Sequence, residues 1–164
     1  MPYYYDVNPG ALTSNGSSNT EGTYLRAATV ANQETASIKG IFVAARFTTA
    51  GGAQFRAKTN TGGSATGGQA TYTPAARNLR GNPASQTLWW WSSTGTITAG
   101  GTLTTRLSIG FALTGGMGGW VPVEAPDSLV MMANATNPVD MEFTVIASQA
   151  TAPLDATIEF SEGY

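Results

Sequence analysis

From Thr23 onward the chain alternates apolar and polar residues with a period of two, the repeat that sends successive side chains to opposite faces of a strand. Leu107, Ile109, Phe111 and Leu113 alternate with Arg106, Ser108, Gly110 and Ala112. Val139, Met141, Phe143, Val145 and Ala147 alternate with Asp140, Glu142 and Thr144. Leu154, Ala156, Ile158 and Phe160 alternate with Asp155, Thr157, Glu159 and Ser161. Each run predicts a half-buried strand with its polar residues turned outward. Ile41, Val43, Ala45 and Phe47 form a more apolar run, with Phe42 and Ala44 opposite, and predict a strand covered on both sides. Such a strand belongs at the centre of a sheet or at a subunit contact.

Turn signals such as Thr49-Ala-Gly-Gly52, Thr98-Ala-Gly-Gly101 and Gly115-Gly116 separate the runs. Sustained helical periodicity is missing; the one candidate is a turn near Pro74 to Leu79. Eight to ten strands with no helix to cover a sheet imply two sheets packed face to face. The expected fold class is therefore all-β, an antiparallel β-sandwich of jelly-roll type over residues 23–164. The Gly- and Pro-rich stretch from Thr59 to Gln86 reads as an excursion over the surface. Residues 1–22 are different: Tyr3, Tyr4 and Tyr5, an Asn8-Pro9-Gly10 turn, then a polar run from Thr13 to Asn19. They predict an extended N-terminal arm whose tyrosines pack at a contact, or else a first strand of the domain itself.

Composition changes the picture by what it removes. With no cysteine and no histidine in 164 residues, thiolate chemistry, disulfides, the usual general base and the commonest transition-metal ligand are all absent. Only 11% of the residues are charged, against about 25% in ordinary domains. Instead the chain has 24 Thr, 24 Ala and 20 Gly. A surface covered by hydroxyls, methyls and bare backbone costs less to desolvate, which suits permanent contact with a partner. Apolar runs stay well short of 18 residues, and the N-terminus has neither a basic start nor an apolar stretch, so neither a membrane helix nor a classical secretion signal is expected.

The net charge of −2 hides a segregation. Lys39, Arg46, Arg56, Lys58, Arg77, Arg80 and Arg106 occur in a stretch with no acid, and the chain from Phe111 to Tyr164 holds seven acids and no base. Either strands interleave so that these charges mix after folding, or basic and acidic faces meet between neighbouring subunits. Seven bases spread over nearly 70 residues make no Lys/Arg cluster, so nucleic-acid binding is not expected.

The candidate interaction residues are aromatic. In a strand over Leu88-Trp89-Trp90-Trp91, Trp89 and Trp91 share one face and Trp90 joins Leu88 on the other, so both faces need cover. That surplus points to a subunit interface, to a flat platform for stacking sugars, or to plain core packing. Trp120, after Gly115-Gly-Met-Gly-Gly119, reads as a core anchor opening a strand from Trp120 to Glu124. The glycines lack the Gly-Lys-Ser/Thr ending of a phosphate loop. Asp140 with Glu142, and Asp155 with Glu159, are carboxylate pairs of the kind that can hydrolyse a glycoside, yet the polar positions of a half-exposed strand are where acids fall by default. Asp127 and Asp140 lack the Asp-rich loop that a calcium site requires. Catalytic residues, cofactors and metals are therefore not expected.

Asn78-Leu-Arg-Gly-Asn-Pro83, Trp120-Val-Pro-Val-Glu124, the run from Asp127 to Asn137 and the acidic closing strand Thr157-Ile-Glu-Phe-Ser-Glu162 together give the chain a pattern, over roughly residues 23–162, that resembles small virion proteins of tailed bacteriophages. It looks most like the capsid decoration, or cement, proteins, jelly rolls that sit as trimers on an icosahedral head. The resemblance implies a non-enzymatic structural protein, a homotrimer bound to the major capsid protein on the outer capsid surface of the virion and made in the host cytoplasm. Nucleic acid and membrane would have no part in it. Tyr3, Tyr4 and Tyr5 would then contact capsid or neighbour, and Trp89, Trp90 and Trp91 the subunit interface. The alternative is a carbohydrate- or receptor-binding module of a phage tail, with Trp89, Trp91 or Trp120 stacking on sugar rings.

Overall fold

A computed structural model describes residues 2–28, 35–61, 70–77, 83–98, 100–123, 129–132 and 139–163. Within them lie thirteen strands, every ladder antiparallel, and no helix long and apolar enough to cross a membrane. The strands are β1 (Tyr3–Val7), β2 (Leu12–Thr13), β3 (Gly22–Ala28), β4 (Thr35–Ala45), β5 (Gly52–Thr61), β6 (Ala70–Tyr72), β7 (Ala75–Ala76), β8 (Leu88–Trp91), β9 (Thr102–Ala112), β10 (Met117–Trp120), β11 (Val130–Met132), β12 (Val139–Ala147) and β13 (Pro153–Gly163).

The ladders form two sheets. One runs β6-β8-β3-β12-β5-β9. The other centres on β4, with β10 and β11 along one edge and β13, β1 and β7 beyond the other; β2 pairs β13 past the end of β1. β11 pairs both β4 and β12 and so joins the sheets at one side. The result is the all-β sandwich that the alternating runs predict.

Aromatic rings hold the two sheets together. Phe55 on β5 stacks on Phe143 of β12 at 6.0 Å, Trp89 of β8 lies 5.8 Å from Phe143, and the same indole meets Phe160 of β13 across the sandwich at 5.1 Å. Tyr5 of β1 continues the stack onto Phe160 at 5.3 Å. All five rings are buried. Aromatic pairs of this geometry contribute about 0.5–1.5 kcal/mol each beyond the area they bury.

Several expectations change on folding. Tyr3–Val7 form β1: all five residues pair β13, and Tyr5 is buried because its ring completes the stack on Phe160. The predicted outward face of β12 is buried as well, since Arg26, Lys58 and Asn60 from β3 and β5 close over Asp140 and Glu142. Trp120 ends a strand instead of opening one: β10 lies over the glycines, where a Cβ on Gly118 would meet Ile109 at 2.5 Å. Part of the stretch from Thr59 to Gln86 is β-structure, because β6 pairs β8 and β7 pairs β1. Residues 78–82 and most of the run from Asp127 to Asn137 lie outside the described residues. β9 and β13 keep the predicted alternation, with Ile109, Phe111, Leu154, Ala156, Ile158 and Phe160 inward.

Truncating Phe143 to Ala removes two ring partners from the sandwich centre and is expected to destabilise by about 3–5 kcal/mol. Leu88→Ala, at a half-exposed position, is expected to cost no more than about 1 kcal/mol. Urea unfolding checks both; equal losses would contradict this placement of the core.

Candidate functional site

The six aromatic residues singled out from sequence do not form one surface. Tyr5 and Trp89 are core side chains, enclosed by the aromatic stack. Tyr3 and Trp91 are partly buried and pack against that core. Trp90 faces the other way, and the Arg26 guanidinium sits 4.7 Å above its ring. Tyr4 is 42% exposed. The alternation within Leu88–Trp91 is as expected, but Leu88 is left in solvent while Arg26 covers Trp90.

Behind Trp90 lies a buried polar layer on the face of β12 that points away from the aromatic core. Register places Arg26 of β3 and Lys58 of β5 on either side of Glu142. Arg26 pairs with Asp140 at 2.5 Å, while Glu142 accepts from Asn60 Nδ2 at 2.8 Å and Thr23 Oγ1 at 3.3 Å. Glu21 takes Lys58 at 2.7 Å, Arg56 at 3.3 Å and the Thr144 hydroxyl at 2.6 Å. Glu142 is completely buried and its hydrogen-bond donors are neutral, so burial pushes its carboxyl above the usual carboxylate range despite Asn60 and Thr23. Burial also raises Asp140, against the pull of Arg26. Burial acts the same way on Glu21, but Lys58, Thr144 and Arg56 outweigh it and hold that group low.

A second buried carboxylate ties the C-terminal strand to the loop before β8. Glu162 of β13 accepts from the Ser85 hydroxyl at 2.6 Å and from the backbone N–H groups of Thr87 at 2.8 Å and Gln86 at 3.2 Å. Burial alone would raise its carboxyl; the Ser85, Thr87 and Gln86 hydrogen bonds together hold it below the ordinary range.

The charge halves of the sequence mix on folding. Arg46 pairs with Asp155, Arg77 with both Asp6 and Glu159, and Arg56 and Lys58 with Glu21. Each carboxylate of the two strand pairs thus has a structural use: Asp140 and Glu142 are sealed in the polar layer, and Asp155 and Glu159 bind arginines. Among the described residues, groups of three or more His, Cys, Asp or Glu that could hold a metal do not occur.

The apolar surplus is exposed elsewhere. Phe42 on the outer face of β4 and Met117 on β10 flank a groove of about 430 Å³, floored by Ala44, Gly118 and Gly119 and bordered by Asp155 and Thr157. Beyond the end of β10, Val121 and Val123 stand in solvent. The sequence reading missed this surface. The available signal was the uncharged Val121-Pro-Val123 run, read there as the inside of a strand.

Two buried acids with opposite shifts give opposite pH signatures. Glu162, held low, contributes stability above the ordinary carboxylate range that is lost as pH falls through its depressed value. Glu162→Gln is expected to cost about 1–3 kcal/mol at pH 7, the gap narrowing on acidification. Glu142, held high, binds its proton more tightly folded than unfolded, so its contribution improves as pH falls through the raised value. Glu142→Gln keeps an acceptor for Asn60 and is expected to match or exceed the parent at pH 7, with that advantage fading toward pH 4. Urea midpoints between pH 4 and 8 read both; parallel profiles for the two variants would contradict these assignments.

Neither a protein-family model nor a curated protein matches the chain. Among solved structures, the infectious bursal virus-derived T=1 particle aligns at 10% identity and a TM-score of 0.24, over 99% of this chain and 40% of that one. The T13 IBDV viral particle aligns at 11% identity and a TM-score of 0.24, over 99% and 39%. The chain spans about two fifths of the length of the chains it matches.

Proposed function

We propose that this protein is a structural component of a virion, a jelly-roll decoration protein that sits as a homotrimer on the outer surface of a tailed-phage capsid and bridges major capsid subunits. The observation that carries the reading is the open apolar groove between Phe42 and Met117, together with the exposed Val121 and Val123. Apolar surface of this kind marks a contact site in a protein that buries most of its large apolar side chains. The scarcity of charge agrees with it, because a surface of Thr, Ala and Gly is cheaply desolvated.

The protein works in this account without chemistry of its own. Its carboxylates hold β12 to its neighbours and β13 to the 85–87 loop, which makes a stiff platform. The exposed Tyr4 and the partly exposed Tyr3, Trp90 and Trp91 would extend the footprint onto the capsid. The sugar-stacking alternative is less well supported. Trp89 is buried, Trp91 and Trp120 pack against the core, and Arg26 occupies a face of Trp90.

Sedimentation equilibrium at micromolar concentration is expected to return three times the 17.0 kDa chain mass. The protein should also pellet with purified capsids and raise the temperature at which they open. A monomer that leaves capsid stability unchanged would overturn the proposal.

A further inference from the structure

The structure points to the contact that closes such an assembly: we infer that Val121-Pro122-Val123 of one copy seats in the Phe42/Met117 groove of the next. The inference rests on the multi-copy reading above and names the residues that make it.

Area is the first argument. Phe42, Met117, Val121 and Val123 are 41, 83, 59 and 101% exposed. Together they present roughly 500 Å² of mainly apolar surface, divided between the Phe42/Met117 groove and the Val121/Val123 segment. A single ridge-in-socket contact draws the ridge from one copy and the socket from the next, so it supplies at most about a third of the ~1,600 Å² that a standard complex buries in total and acts as an anchor within a wider interface. A protein that buries Trp89, Phe143 and Phe160 completely does not leave this much apolar surface in water for want of core capacity.

Shape is the second. The groove exists because β10 brings glycine against β4: Gly119 lies opposite Phe42 on the outer face, so that position puts no side chain between Phe42 and Met117. Its volume of about 430 Å³ is ample for a valine-proline-valine ridge. The ridge begins one residue after β10 ends, and full exposure of Val123 shows that it does not fold back into its own groove.

Each molecule therefore carries an apolar ridge and an apolar socket that it cannot join to each other. Ridge and socket are different surfaces, so the contact between copies is heterologous, and repeating it around an axis closes a ring in which every ridge is buried. Neither Val121 nor Val123 carries a charge that would have to be desolvated. β4 fits both parts of its sequence description in this arrangement, being central in its sheet and, through Phe42, part of a subunit contact.

Val123→Asp and Met117→Lys place a charge on the ridge and at the socket respectively. Both positions are almost wholly exposed, so neither change disturbs the subunit core, and circular dichroism should match the parent. Each variant is expected to weaken the assembly by about ten-fold or more in dissociation constant. Leu88→Ser, on the other sheet, should leave it unchanged. An assembly that survives both charge variants overturns this contact and leaves the decoration reading standing. A parent protein that is monomeric at tens of micromolar overturns both.

Discussion

The fold depends on one contact, the tilted packing of Trp89 on Phe160 across the sandwich. Trp89 belongs to a four-residue strand near the edge of one sheet, and Phe160 to an eleven-residue strand flanked by β4 and β1 in the other. Phe143 and Phe55 extend the stack through the first sheet, and Tyr5 extends it through the second. Because β1 contributes a ring to this stack, the N-terminal tyrosines are drawn into the domain. Because Glu162 grips the 85–87 loop from β13, the short β8 is held where its indole can reach Phe160. A sandwich with few charged side chains and no disulfide is thus fastened by rings inside and by carboxylate hydrogen bonds at its seam.

Much of this architecture is legible in the sequence, for a local reason. From Leu107 to Phe111 in β9 and from Leu154 to Phe160 in β13 every second residue is apolar and the intervening ones meet solvent or weak ion pairs, so period two reports burial directly. In β12 the same period misleads. Asp140 and Glu142 read as solvent-facing, yet Arg26 lies 114 residues away and Asn60 82 residues away, and a run of nine residues holds no trace of them. The charge segregation fails as a guide to surfaces for the same reason, since antiparallel pairing sets Arg46 against Asp155 and Arg77 against Glu159.

The surplus of apolar side chains was legible in kind and not in place. Leu88–Trp91 advertises more aromatic area than one sheet face needs, but burial of Trp89 and the Arg26 contact over Trp90 absorb it within the monomer. Phe42, Met117, Val121 and Val123 carry much of the exposed surplus, scattered along 82 positions, and only the pairing of β10 with β4 brings Phe42 and Met117 to one groove. One glycine decides the matter, for a side chain at 119 would press on the Phe42 ring and fill the space beside it, while Gly118 lets β10 lie close over Ile109.

The central claim is that this face is covered by protein when the molecule does its work. Amide hydrogen exchange across residues 117–123, followed as the protein is diluted, tests it most directly. The account predicts slow exchange at high concentration that accelerates on dilution in this segment, while the β12 and β13 amides stay slow throughout. Exchange at 117–123 that is fast and independent of concentration, on free protein and on capsids alike, would contradict it.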